Sequence, residues 1–87
     1  MKTFRNFVNG SFVDAKSGET TNVINPATGQ VYAQAVLSRE ADVDLAMRAA
    51  EHGAELWRDA TPAERSLALY RMADAVESRA EELIALE

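Results

Sequence analysis

Thr61-Pro62-Ala63-Glu64 spells a helix start with little room for another reading. Threonine takes the cap, and proline the first helical position, where a missing N–H costs nothing. Glutamate sits where its side chain can reach back to the cap backbone. Downstream, Leu69, Met72, Ala73, Val76, Ala80, Leu83 and Ile84 recur at helical spacing, and Leu67, Tyr70 and Leu86 widen that face. The pattern predicts one continuous amphipathic helix over 61–87, with Arg71, Asp74, Glu77, Ser78, Glu81 and Glu82 on its outer side. It meets no glycine or proline stop, and apolar Leu83, Ile84 and Leu86 persist to its end. The expectation is therefore a scaffold element, with residues 1–87 the opening part of a larger fold.

A second helix precedes it. Val43, Ala46, Met47, Ala50, Ala54 and Trp57 lie on one helical face over 38–59, with Ser38 as the expected cap. Glu40 and Asp42 fall in the first turn, where the helix dipole favours negative charge. Gly53 weakens the interior by about 1 kcal/mol relative to alanine and suggests close approach of a neighbour. His52, the single histidine, lies at the border of the stripe. It reads as a surface or boundary residue rather than a catalytic one, since no partner set accompanies it. Trp57 reads as an anchor between packed elements rather than a ligand wall.

The first 37 residues have a different period. Phe4–Val8 and Ser11–Val13 flank Asn9-Gly10, the pair that accepts positive φ at both positions of a tight hairpin turn. Phe4, Phe7 and Phe12 suit a core or docking surface better than a ligand-stacking platform. Thr21–Ile24 and Gln30–Leu37 form a second expected antiparallel pair, joined through Asn25-Pro26-Ala27-Thr28-Gly29. Asn25 and Thr28 are expected to bond the turn backbone, and Gly29 to take a positive φ.

Charge and composition exclude several functions. The first 37 residues carry three basic and two acidic side chains, whereas the remainder carries six basic and twelve acidic. An acidic helical half disfavours nucleic-acid binding, which needs a basic footprint. There is no cysteine, hence no disulfide, thiolate ligand or cysteine nucleophile within these residues. No apolar run is long enough to span a membrane, and the N-terminus lacks an export signal, so a cytoplasmic setting is expected. No phosphate-binding glycine motif, nucleophile elbow or zinc signature occurs. Catalytic, cofactor-binding and metal residues are therefore each assigned as none.

Phe7–Phe12 (FVNGSF), Asn25–Gln30 (NPATGQ), and Trp57 followed by Thr61-Pro62-Ala63-Glu64-Arg65 stand in a distinctive order. With Leu69, Ala73-Asp74, Glu77 and Glu81-Glu82-Leu83, they resemble the N-terminal segment of the aldehyde dehydrogenase superfamily. Within it the chain is most similar to bacterial aminoaldehyde dehydrogenases acting on 4-aminobutyraldehyde. Glu51-His52-Gly53-Ala54 departs from the alanine-rich, aromatic-bearing family pattern, and family members are several times longer.

The resemblance implies an α/β fold class: the N-terminal fragment of an aldehyde-dehydrogenase-like fold, short antiparallel strands followed by two amphipathic helices. Residues 1–37, 38–59 and 61–87 would be an incomplete part of the NAD(P)-binding domain. The parent would be a soluble, homo-oligomeric enzyme, dimer or tetramer, oxidising an aldehyde with NAD or NADP. A cysteine thiolate, a glutamate and an asparagine would do that chemistry, all outside this segment, leaving the 87 residues inactive alone. The competing expectation is a small helical interaction module using the Leu69–Ile84 face. The β-rich first 37 residues, which such a module does not need, separate the two.

Overall fold

The computed structural model describes residues 1–87 as five strands and three helices, a mixed α/β arrangement. Two units are distinguishable, Met1–Gly53 and Ala54–Glu87. No helix is long and apolar enough to cross a membrane.

In the first unit, β1 (Lys2–Phe4), β2 (Asn6–Val8), β3 (Ser11–Val13), β4 (Thr20–Ile24) and β5 (Val31–Val36) form two sheets. β2 and β3 make the predicted hairpin, with Phe7 opposite Phe12 and Val8 opposite Ser11. Asn9 and Gly10 turn it at φ 52° and 80°. The Phe7 and Phe12 rings meet edge to face at 5.1 Å, a favoured aromatic geometry.

Phe4 does not belong to that hairpin, contrary to the continuous Phe4–Val8 strand expected from sequence. The strand breaks at Arg5, and β1 pairs in parallel with β5, Phe4 facing Ala35. One strand cannot serve both the β3 ladder and the distant β5 edge, so the chain changes sheets at Arg5. The Arg5 guanidinium bonds the Asp14 carboxylate at 2.7 Å and ties the junction to the end of β3.

β4 and β5 pair antiparallel as expected, with a bulge where Val23 faces Ala33 and Ile24 faces Val31. The connecting turn is bonded as its residues predict. Asn25 Oδ1 accepts from the Ala27 N–H at 2.9 Å, and Thr28 Oγ1 from the Gln30 N–H at 3.3 Å. Gly29 takes φ 71°. β5 is the middle strand, and its Ala33 is 1% exposed, the most buried apolar residue of the sheet.

α1 (Glu40–Asp59) covers the predicted span, but Ser38 is not its cap. The Ser38 hydroxyl accepts from the Asn6 side-chain amide at 2.7 Å. Arg39 occupies the cap position instead, its carbonyl accepting from the Val43 N–H at 3.2 Å. No side chain approaches Gly53: a Cβ there would meet nothing within 4 Å, so the expected close neighbour is absent. Trp57 is 46% exposed within these residues.

In the second unit, α2 (Pro62–Ser78) begins with the complete capping box. The Glu64 N–H donates to Thr61 Oγ1 at 3.2 Å and the Thr61 N–H to Glu64 Oε2 at 3.0 Å. Thr61→Ala should cost about 1 kcal/mol of helix stability. Amide-exchange protection of the first turn reads this out, and unchanged protection would contradict it.

The helix is not continuous to the end, as its periodicity suggested. It breaks at Arg79 (φ −114°, ψ 22°), and α3 (Ala80–Leu86) follows. Three local causes act together. Ser78 Oγ donates back to the Ala75 carbonyl at 2.9 Å, a bond that bends helices. The Arg79 N–H takes the tighter bond to the Val76 carbonyl at 3.2 Å. Glu81 and Glu82 gain from standing in the first turn of a new helix rather than near the negative end of an old one. Arg79 then grips both oxygens of Glu82 at 2.9 and 2.7 Å.

Candidate functional site

The most organised polar centre of the first unit is Asp42, 8% exposed and the one buried charged residue. It is the third residue of α1, so its carboxylate folds back over the helix start. Oδ2 accepts from the Arg39 N–H at 2.9 Å, the reverse half of a capping box. Oδ1 accepts from the Lys16 N–H at 2.8 Å, across 26 residues of sequence. These backbone bonds, Arg39 first and Lys16 second, hold the carboxyl below its ordinary value of 3.8 despite its burial.

The Ala15–Gly18 turn that presents Lys16 is itself closed by the Gly18 N–H donating to the Ala15 carbonyl at 2.9 Å. Glu19 accepts from Arg39 Nε at 3.2 Å, and that bond with the accompanying charge lowers its pKa as well. Loop, β5 end and helix start are thus fastened at one corner, with the Leu37 N–H donating to the Glu19 carbonyl at 2.9 Å. Every Asp42 oxygen is bonded to backbone. The residue fastens: both oxygens face backbone N–H groups of the corner it closes.

Elsewhere in this unit the concavities are open. One groove lies between the β2–β3 hairpin and α1, floored by Val8, Val13, Leu45 and Ala49 and rimmed by Asn9, Ser11, Arg48 and His52. His52 is exposed, and Arg48 is paired with Asp44 at 3.0 Å one helical turn back. Another depression is lined only by α1 residues, Glu40 to Met47, so no second element converges on it. No three His, Cys, Asp or Glu side chains come together as a ligand cluster. Asn25 and Thr28 are occupied by their turn, as described above.

A model of the aldehyde dehydrogenase family matches residues 12–87. The chain belongs to that family. The match includes the NPATG turn, α1, the Thr61 capping box and both following helices.

Aldehyde dehydrogenases generally use NAD(P), and the fit of these residues to its pyrophosphate can be tested on their geometry. Such a cradle needs free backbone N–H groups at a helix start and a backbone bare enough for close approach. At α1 the cap N–H is already taken by Asp42, and Glu40 and Asp42 set two carboxylates where an anion would lie. At α2 Pro62 has no N–H and the Glu64 N–H belongs to Thr61. Gly10, Gly18 and Gly29 serve turns of positive φ. Neither of these two helix starts makes the cradle.

What the aldehyde dehydrogenase segment offers instead is apolar helix surface. Val43, Met47 and Leu56 of α1 are exposed, as are Leu69, Met72 and Val76 of α2. An amphipathic face left open in this way is structural capacity rather than chemistry. Asp42 is the polar residue that sequence reasoning undervalued. It stands three residues past Arg39, the observed cap, but four past Ser38, the cap expected from sequence, so the misplaced cap hides its reach back to the cap backbone.

Proposed function

We propose that this chain supplies the N-terminal scaffold of an NAD(P)-dependent aldehyde dehydrogenase, converting an aldehyde to its carboxylate, with 4-aminobutyraldehyde as substrate. The family match over residues 12–87 carries the reading. The absence of cysteine from the sequence is in keeping with a nucleophile supplied from outside these residues. In this reading the strands and helices flank the coenzyme-binding domain of a homo-oligomeric enzyme, and the open apolar faces of α1 and α2 are covered by that domain.

Two assays test it. The purified 87-residue chain, given NAD or NADP and 4-aminobutyraldehyde, should form no reduced nicotinamide; sustained turnover would refute the scaffold role. An enzyme carrying these residues at its N-terminus should oxidise 4-aminobutyraldehyde with higher kcat/KM than acetaldehyde or benzaldehyde. The reverse order would remove the substrate assignment while leaving the family membership intact.

A further inference from the structure

The Asn9-Gly10 turn holds a reactive pair whose chemistry is independent of aldehyde oxidation. Both residues are exposed, and a Cβ built on Gly10 would meet nothing within 4 Å. Gly10 thus brings no side chain of its own to screen the bond that follows Asn9. We propose that Asn9-Gly10 is a site of spontaneous deamidation in the folded protein.

The Gly10 nitrogen attacks Cγ of Asn9, an N–C bond forms, and the Cγ–Nδ2 bond breaks. Ammonia leaves, taking up the proton lost from the Gly10 amide, and a succinimide remains. Water then adds to either imide carbonyl and opens the ring to aspartate or isoaspartate. No oxidation or reduction occurs, and hydroxide accelerates the first step by removing the amide proton.

Asn9 sits in the left-handed region at φ 52°, and ring closure proceeds by rotation about its ψ and χ1. The turn is the end of the hairpin remote from its side-chain ties, Arg5 to Asp14 and Asn6 to Ser38. The hairpin has three facing pairs, Asn6–Val13, Phe7–Phe12 and Val8–Ser11, and a two-stranded hairpin of this kind is marginal by itself. Local opening supplies the reactive geometry. The other asparagines are built against the reaction. Asn25 precedes proline, which has no N–H. Asn6 and Asn22 lie in β2 and β4, before the bulkier Phe7 and Val23. The product would place a carboxylate on the groove rim that Asn9 shares with Arg48 and His52.

The intact protein is incubated in native buffer at neutral and mildly alkaline pH, then mapped by peptide mass and isoaspartate detection. The expected result is loss of the Asn9 amide ahead of Asn6 and Asn22, faster at the higher pH, with a shift of the native band toward the anode. Asn9→Gly keeps a turn-compatible Gly-Gly pair and should abolish that shift. Conversion seen in urea but not in native buffer would overturn the proposal, because the folded turn would then be protective. So would an equal shift in Asn9→Gly.

Discussion

Asp42→Asn lowers the denaturant midpoint of the Met1–Gly53 unit at neutral pH and flattens its loss of stability in acid. The amide has one acceptor oxygen for two backbone donors, the N–H groups of Lys16 and Arg39. The other position becomes an NH2 that points a donor at a donor, so one part-buried N–H loses its partner. Loop 15–18 and the start of α1 should therefore lose exchange protection together.

The acid behaviour follows from the direction of the pKa shift. The folded carboxyl titrates below the ordinary aspartate value of 3.8. Its stabilisation is complete above that unfolded value and disappears as pH falls through the folded one. Glu19, also lowered, acts in the same sense below 4.5. The wild type should thus show a stability loss beginning below about pH 5, and Asp42→Asn a shallower one. Parallel pH profiles for the two proteins would show that Asp42 is not the fastening group.

Ala33→Leu is the second large effect. Ala33 stands in the middle strand between Lys2 of β1 and Val23 of β4, and it is 1% exposed. Three added carbons have no space there without displacing backbone, a disturbance of about 1–3 kcal/mol. The denaturant midpoint should fall with an unchanged slope. Ala35→Leu, one pleat along at a half-buried position, should cost less. Equal stability of Ala33→Leu and wild type would mean that the sheet does not close over this residue.

These two sites also mark where sequence reading succeeds and stops. The Asn9-Gly10 turn, the NPATG turn and the Thr61 box were legible because each is decided by four or five neighbouring residues with specific backbone demands. The pairing of Phe4 with Ala35 was not, because nothing in TFRNF distinguishes a strand bound for β3 from one bound for β5. Asp42 is half legible: its reach to Arg39 is local, but its bond to Lys16 spans a loop whose path no periodicity reports. The break at Arg79 hid inside an unbroken apolar repeat, since a serine back-bond and the acidic pair after it leave hydrophobic spacing untouched.

The parallel seam between β1 and β5 has a kinetic consequence. β4 and β5 meet across a short turn and can pair as soon as both exist, whereas Lys2–Phe4 must find Ala33–Ala35 across roughly thirty residues. Loop-closure entropy makes that the late event of sheet assembly. Until it happens, one flank of β5 presents unpaired N–H and C=O groups to any passing strand. The three residues of β1 thus act as a seal, and the interval before they dock is when the nascent sheet is open to pairing with the wrong chain.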